Sequence, residues 1–203
     1  MRLFIALDID PGIREWMARF LDGVRNFAPD VRWVSAQSFH VTLKFIGERS
    51  PEDAEAMKRA LAAIKAPPVS MSFRGYGFFP NPRAARVFWV GIESGPELAS
   101  LAARVDESLL RLGIPREDRA FSPHLTLARA GDSRRPRGGS GRPGFASGDR
   151  PNSRFARLQE KLQPLPSPEF GQMIASEFFL YESKLLPGGA QYTKLARFPL
   201  GIE

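Results

Sequence analysis

The 203-residue chain has no cysteine and only two histidines. Lack of cysteine removes disulfides, thiolate metal sites and cysteine nucleophiles together, and makes a cytoplasmic location the expectation. No apolar run approaches the ~20 residues that a bilayer span needs, so a soluble, globular protein without a membrane anchor is expected. The opening Met1-Arg2-Leu3-Phe4-Ile5-Ala6-Leu7-Asp8 reaches an acid too early for a secretion signal and reads as a first strand. The length suits one compact unit over residues 1–203, built as two small lobes that share a core.

Charge is present in excess and in one place. The formal net charge is +7, and residues 133–157 hold seven arginines, no lysine and a single acid, Asp149. Residues 133–152 are rich in Gly, Pro, Ser and Arg with almost nothing to bury, so they are expected to form a mobile surface loop. Positive charge gathered in this way suggests a polyanionic partner.

Periodicity places strands over residues 2–9, 31–34, 39–46, 69–79, 85–92, 122–129, 173–181 and 191–198. Helices are expected from Pro11 to about residue 26, over 51–64 and 96–112, and briefly over 154–162. Asp10-Pro11 and Ser50-Pro51 supply N-caps followed by proline in the first turn, and Gly113 ends the third helix.

Within this pattern one segment occurs twice. Ser38-Phe39-His40-Val41-Thr42-Leu43-Lys44-Phe45-Ile46-Gly47-Glu48 aligns with Ser122-Pro123-His124-Leu125-Thr126-Leu127-Ala128-Arg129-Ala130-Gly131-Asp132, with identity at Ser, His, Thr, Leu and Gly. Both histidines of the chain fall at the same place in the repeat. Side chains two apart on a strand share a face, so His40 projects with Thr42 and His124 with Thr126. A pseudo-twofold arrangement brings two imidazoles and two hydroxyls into one cleft. Imidazole titrates near neutrality, so one ring can accept a proton from water while the other donates one to a leaving oxygen. The threonine hydroxyls suit the non-bridging oxygens of a phosphate.

The tetrapeptides His40-Val41-Thr42-Leu43 and His124-Leu125-Thr126-Leu127 resemble the paired motifs of the two-histidine phosphoesterase superfamily. Further stretches resemble the RNA 2′,3′-cyclic phosphodiesterases once called 2′-5′ RNA ligases. They are Arg2-Leu3-Phe4-Ile5-Ala6, Phe79-Pro80, Ala85-Arg86-Val87-Phe88-Trp89-Val90-Gly91, Glu182-Ser183-Lys184-Leu185, Pro187-Gly188-Gly189 and Tyr192-Thr193. The resemblance implies an α+β, bilobal fold with two antiparallel sheets flanked by helices around a central cleft. It implies hydrolysis of RNA 2′,3′-cyclic phosphate ends to 2′-phosphomonoesters, with no metal and no cofactor. It also implies His40 as proton donor to the departing 3′ oxygen and His124 as the base that activates water. The partner is an RNA end, and a monomer is expected. The long basic stretch after Asp132 departs from the family pattern.

Two further cations are candidates for the phosphate. By strand parity Lys44 shares a face with His40 and Thr42, whereas Arg129 has the opposite parity from His124 and points away unless a bulge intervenes. Tyr192 and the phenylalanines are candidates to stack a terminal base, although core packing accounts for most of them. Two other readings compete: 2′-5′ ligation or cleavage by the same acid/base pair, and an RNA-binding module without turnover. A two-histidine metal site lacks a carboxylate or thiolate within the repeated tetrapeptides to complete it.

Overall fold

The computed structural model describes residues 1–117, 120–131, 152–186 and 189–201. The stretch expected to be a basic loop, 133–152, lies outside these apart from Asn152, as do residues 187 and 188 between the last two expected strands.

The order is β1 (Arg2–Leu7), α1 (Pro11–Val24), β2 (Val31–Trp33), β3 (Val41–Glu48), α2 (Pro51–Ala62), β4 (Val69–Phe79), β5 (Val87–Ser94), α3 (Pro96–Leu110), β6 (His124–Ala130), α4 (Ala156–Leu162), β7 (Glu169–Ala175), β8 (Glu177–Leu186) and β9 (Gly189–Pro199). These form two antiparallel sheets, one of four strands in the order β3-β1-β8-β9 and one of five in the order β2-β6-β5-β4-β7.

The helices start where the sequence offers caps. Asp10 accepts from the backbone N–H groups of Gly12 and Ile13 ahead of α1, and Ser50 with Asp53 forms a reciprocal capping box at α2. Each helix buries one stripe: Ile13, Met17, Leu21 and Val24 in α1, and Leu98, Leu101, Val105 and Leu109 in α3. These pack against Leu3, Ile5 and Leu7 of β1 and Phe88, Val90 and Ile92 of β5 in one continuous core. Strand alternation turns Phe4 and Ala6, and Val87, Trp89 and Gly91, to the other face of their sheets. That face of the first sheet carries a separate aromatic cluster of Phe4, Phe179 and Tyr181, with Tyr192 packed on it.

One expected element is corrected. The single strand over 173–181 is two strands that belong to different sheets. β7 pairs with β4 and β8 pairs with β1, and Ser176 lies between them. Phe178, Phe179, Leu180 and Tyr181 are consecutive buried residues, a pattern of a strand covered on both faces. That run hides the break, because the apolar density continues across it. Among the described residues no helix is long and apolar enough to cross a membrane.

Candidate active site

Both histidines stand at the N-terminal ends of equivalent strands, His40 just before β3 and His124 as the first residue of β6. Their local settings are near copies. Nδ1 of His40 lies 2.8 Å from the Ser38 carbonyl oxygen, and Nδ1 of His124 lies 2.8 Å from the Ser122 carbonyl oxygen. A carbonyl only accepts, so Nδ1 carries the proton in both rings and Nε2 is left as the atom that can bind or release one. The serine repeated two residues before each histidine thus contributes its backbone. On the first side, the guanidinium of Arg14 in α1 holds this backbone by donating to the Ala36 carbonyl at 2.5 Å. It also donates to Asp8 Oδ1 at 2.5 Å. Nothing in the sequence marks Arg14 for that task.

Aromatic rings fix the outer faces of both imidazoles. Phe4 and Tyr192 lie 4.8 Å and 5.2 Å from His40 between centroids, and Phe79 lies 5.0 Å from His124, edge to face. Phe79 in turn stacks on Trp89 at 4.9 Å. Gly77 makes room for that pair, since a Cβ there would sit 2.1 Å from the indole.

The two phosphate-binding cations expected from parity exchange places. In β3 the pairing with β1 shifts between Thr42 and Lys44, and in β6 the pairing with β5 shifts between Thr126 and Ala128. Leu43 and Leu127 are the extra residues, so a bulge falls at the same point of the repeat in both strands. Each bulge reverses the parity of the residues that follow it, in β3 up to a second shift at Ile46. Lys44 therefore turns into the interior, 3% exposed, where Nζ donates to Asp106 of α3 and to the Pro115 carbonyl at 2.9 Å. It is not available to a phosphate. Arg129 is instead brought to the histidine face, and its Nη2 donates to Thr126 Oγ1 at 3.4 Å. The residue equivalent to Arg129 in the first repeat is Phe45, 55% exposed.

Lys44 is a structural tie, and its loss strands a partly exposed Asp106 carboxylate. Lys44→Ala is expected to destabilise the fold by about 2–4 kcal/mol, read from urea unfolding, while leaving turnover per folded molecule within about threefold.

Electrostatically the two rings are held neutral. Burial lowers the pKa of His40 to about 4, opposed by its bond to the Ser38 carbonyl and by Asp8, and assisted by the positive charges of Arg129 and Arg14. Burial also lowers the pKa of His124, opposed by the Ser122 carbonyl and assisted by Arg129. The Arg129 charge thus weighs against protonation of both rings. Arg129, Thr42 and Thr126 offer donors without a matching acid, the arrangement of a site for an anion that carries its own charge. Among the described residues no three His, Asp or Glu side chains are grouped to hold a metal ion.

A family model described as LigT like Phosphoesterase matches residues 7–89 and 90–138 of the chain. RNA 2′,3′-cyclic phosphodiesterases of Archaeoglobus fulgidus and Methanothermobacter thermautotrophicus are 34% and 31% identical to this chain, each match covering 98% of this chain and 99% of the relative. The crystal structure of Escherichia coli LigT complexed with 3′-AMP superposes with a TM-score of 0.73 at 28% identity, over 98% of this chain and 97% of that one. A Thermus thermophilus structure gives a TM-score of 0.73 at 29% identity over the full length of both.

Proposed function

This chain belongs to the LigT-like phosphoesterase family, and we propose that it opens 2′,3′-cyclic phosphates on RNA ends with His40 and His124 as its proton-transfer groups. The observation that carries the proposal is the duplicated imidazole setting, in which each Nδ1 is tied to a backbone carbonyl and each Nε2 is free to exchange a proton. Two such atoms, with Thr42, Thr126 and Arg129 beside them, match the needs of a phosphodiester displacement. One ring takes a proton from the attacking water, and the other supplies one to the departing oxygen. The new bond joins the water oxygen to phosphorus, the bond from phosphorus to the 3′ oxygen breaks, and the product is a 2′-phosphomonoester.

Thr42 and Thr126 donate hydroxyls to the non-bridging oxygens, and the Arg129 guanidinium balances the charge that grows on them. The relatives of near-equal length are RNA 2′,3′-cyclic phosphodiesterases, and the bound 3′-AMP of the Escherichia coli protein is a nucleotide of the same chemical class. In the roles that the family resemblance implies, His124 is the base and His40 the acid. In the free protein burial lowers the pKa of both rings, and the negative charge of a bound phosphate raises both.

The test is an RNA oligomer ending in a 2′,3′-cyclic phosphate, incubated with the protein in EDTA and resolved by mass and by phosphatase sensitivity. Conversion to a 2′-phosphate at an undiminished rate is expected. A binding-only protein leaves the end intact, and activity lost in EDTA but restored by zinc or manganese replaces the two-histidine mechanism with a metal one.

A further inference from the structure

Arg129 is not alone on the cleft face. It pairs in register with Arg32 of β2 across the edge of the five-stranded sheet. Val31 and Trp33, on either side of Arg32, pack into the core, so alternation turns Arg32 to the face of Arg129. In the other sheet β1 pairs with β8 without a shift, so Arg2 lies on the same face as Phe4 and Ala6, the face that carries His40. Both Arg2 and Arg32 are exposed.

Three arginines from three strands and both sheets are therefore presented together, and nothing acidic among the described residues neutralises them. Glu48, opposite Arg2 in register, places its carboxylate 3.4 Å from the N-terminal amine instead. Like charges directly opposite on antiparallel strands weaken the sheet. The Arg129 guanidinium has its pKa lowered, chiefly by burial, opposed by Tyr192 and assisted by Arg32 and Arg2. Arg129 lies three residues beyond Thr126, about 10 Å along a strand. The cationic surface thus continues past the place where one phosphate sits against the histidines.

We propose that Arg32 and Arg2 form a second anion site, next to Arg129, that takes the phosphodiester joining the terminal nucleotide to its 5′ neighbour. It makes the enzyme selective for the end of an RNA strand over a free cyclic mononucleotide, which has no phosphate to place there. This deepens the cyclic-phosphate reading and rests on it. Arg129 stays with the reacting phosphate through Thr126, and the two outer arginines act on the next one.

The experiment compares adenosine 2′,3′-cyclic phosphate with the dinucleotide ApA ending in a 2′,3′-cyclic phosphate and lacking a 5′ phosphate. Wild type is expected to favour the dinucleotide by about 10- to 100-fold in kcat/KM, the range for charge-assisted contacts to one phosphate. Arg32→Gln and Arg2→Gln each lower the dinucleotide value by roughly tenfold and leave the mononucleotide within about twofold. The salt dependence of kcat/KM for the dinucleotide becomes weaker with each arginine removed. Thermal stability of Arg32→Gln is expected to equal or exceed that of wild type, since a like-charge pair is relieved.

Equal slowing of both substrates in the variants, or no preference in wild type, overturns the second site. If wild type turns over neither substrate, the cyclic-phosphate reading fails, and calorimetric binding of the 3′-phosphorylated dinucleotide against 3′-AMP decides the arginines separately. Tighter binding of the dinucleotide that is lost in the double variant upholds them; equal affinity does not.

Discussion

Replacement of His40 or of His124 by alanine is expected to lower kcat/KM on RNA ending in a 2′,3′-cyclic phosphate by about 10²–10⁴-fold. Each ring has one exchangeable atom, Nε2, because its Nδ1 is committed to the Ser38 or Ser122 carbonyl. Alanine removes that atom and leaves the strand intact. The double variant is expected to be little slower than the slower single one, since the two proton transfers serve a single transition state. Thr42→Ala and Thr126→Ala each remove one neutral hydrogen bond and are expected to cost about tenfold. All four proteins are expected to fold, because these side chains face the cleft and lie outside the continuous core.

Which ring is the acid is readable from the leaving group. An aryl phosphodiester expels a phenolate that needs no proton, so the variant lacking the acid recovers most of its rate on that substrate, while the variant lacking the base does not. Recovery in His40→Ala alone supports His40 as the acid, and recovery in His124→Ala alone reverses the roles. Near wild-type turnover by either folded variant on RNA defeats the mechanism and leaves an RNA-binding module.

The repeat makes the histidines legible from the amino-acid order alone, because only two imidazoles exist and both occupy one register of a duplicated strand. Parity misplaces the cations for a local reason. Strict alternation does not survive past Thr42 and Thr126, since each strand accommodates an extra leucine there. In β6 the sequence carries a signal of this, since Leu125 and Leu127 are followed by Ala128 and Ala130, a change of apolar parity that a bulge requires. In β3 it carries none: Val41, Leu43 and Phe45 keep a period of two, and the bulge is visible only in the burial of Lys44 and the exposure of Phe45. The division at Ser176 leaves no comparable trace, because buried residues continue through β8 and pairing partners are chosen by tertiary contacts. Arg14 is unreadable for the same reason, since its partners Ala36 and Asp8 meet it only after α1 has packed.

Arg129 carries the second large effect, and it acts in two ways that pH separates. In the free protein both imidazoles have pKa values below the ordinary 6.5, His40 at about 4, with the Arg129 charge contributing to each depression. The reactive form has one ring protonated and one neutral, so kcat/KM is expected to be bell-shaped with both limbs below the ordinary imidazole value of 6.5. A bound phosphate anion favours protonation of the rings, so both limbs of kcat lie at higher pH than those of kcat/KM. Arg129→Gln removes a positive charge that opposes imidazolium, and the sign follows directly: the limbs of kcat/KM move to higher pH. The same substitution deletes a charge-assisted contact to the phosphate and lowers kcat/KM at its optimum by about 10- to 100-fold. A chain with two histidines gives two imidazole Hε1 resonances, so proton NMR titration of wild type, Arg129→Gln and one single-histidine variant assigns both pKa values without reference to turnover. If the two resonances titrate near 6.5 in wild type, or stay unmoved when Arg129 is replaced, the guanidinium does not sit between the rings, and its place in the phosphate site is lost with it.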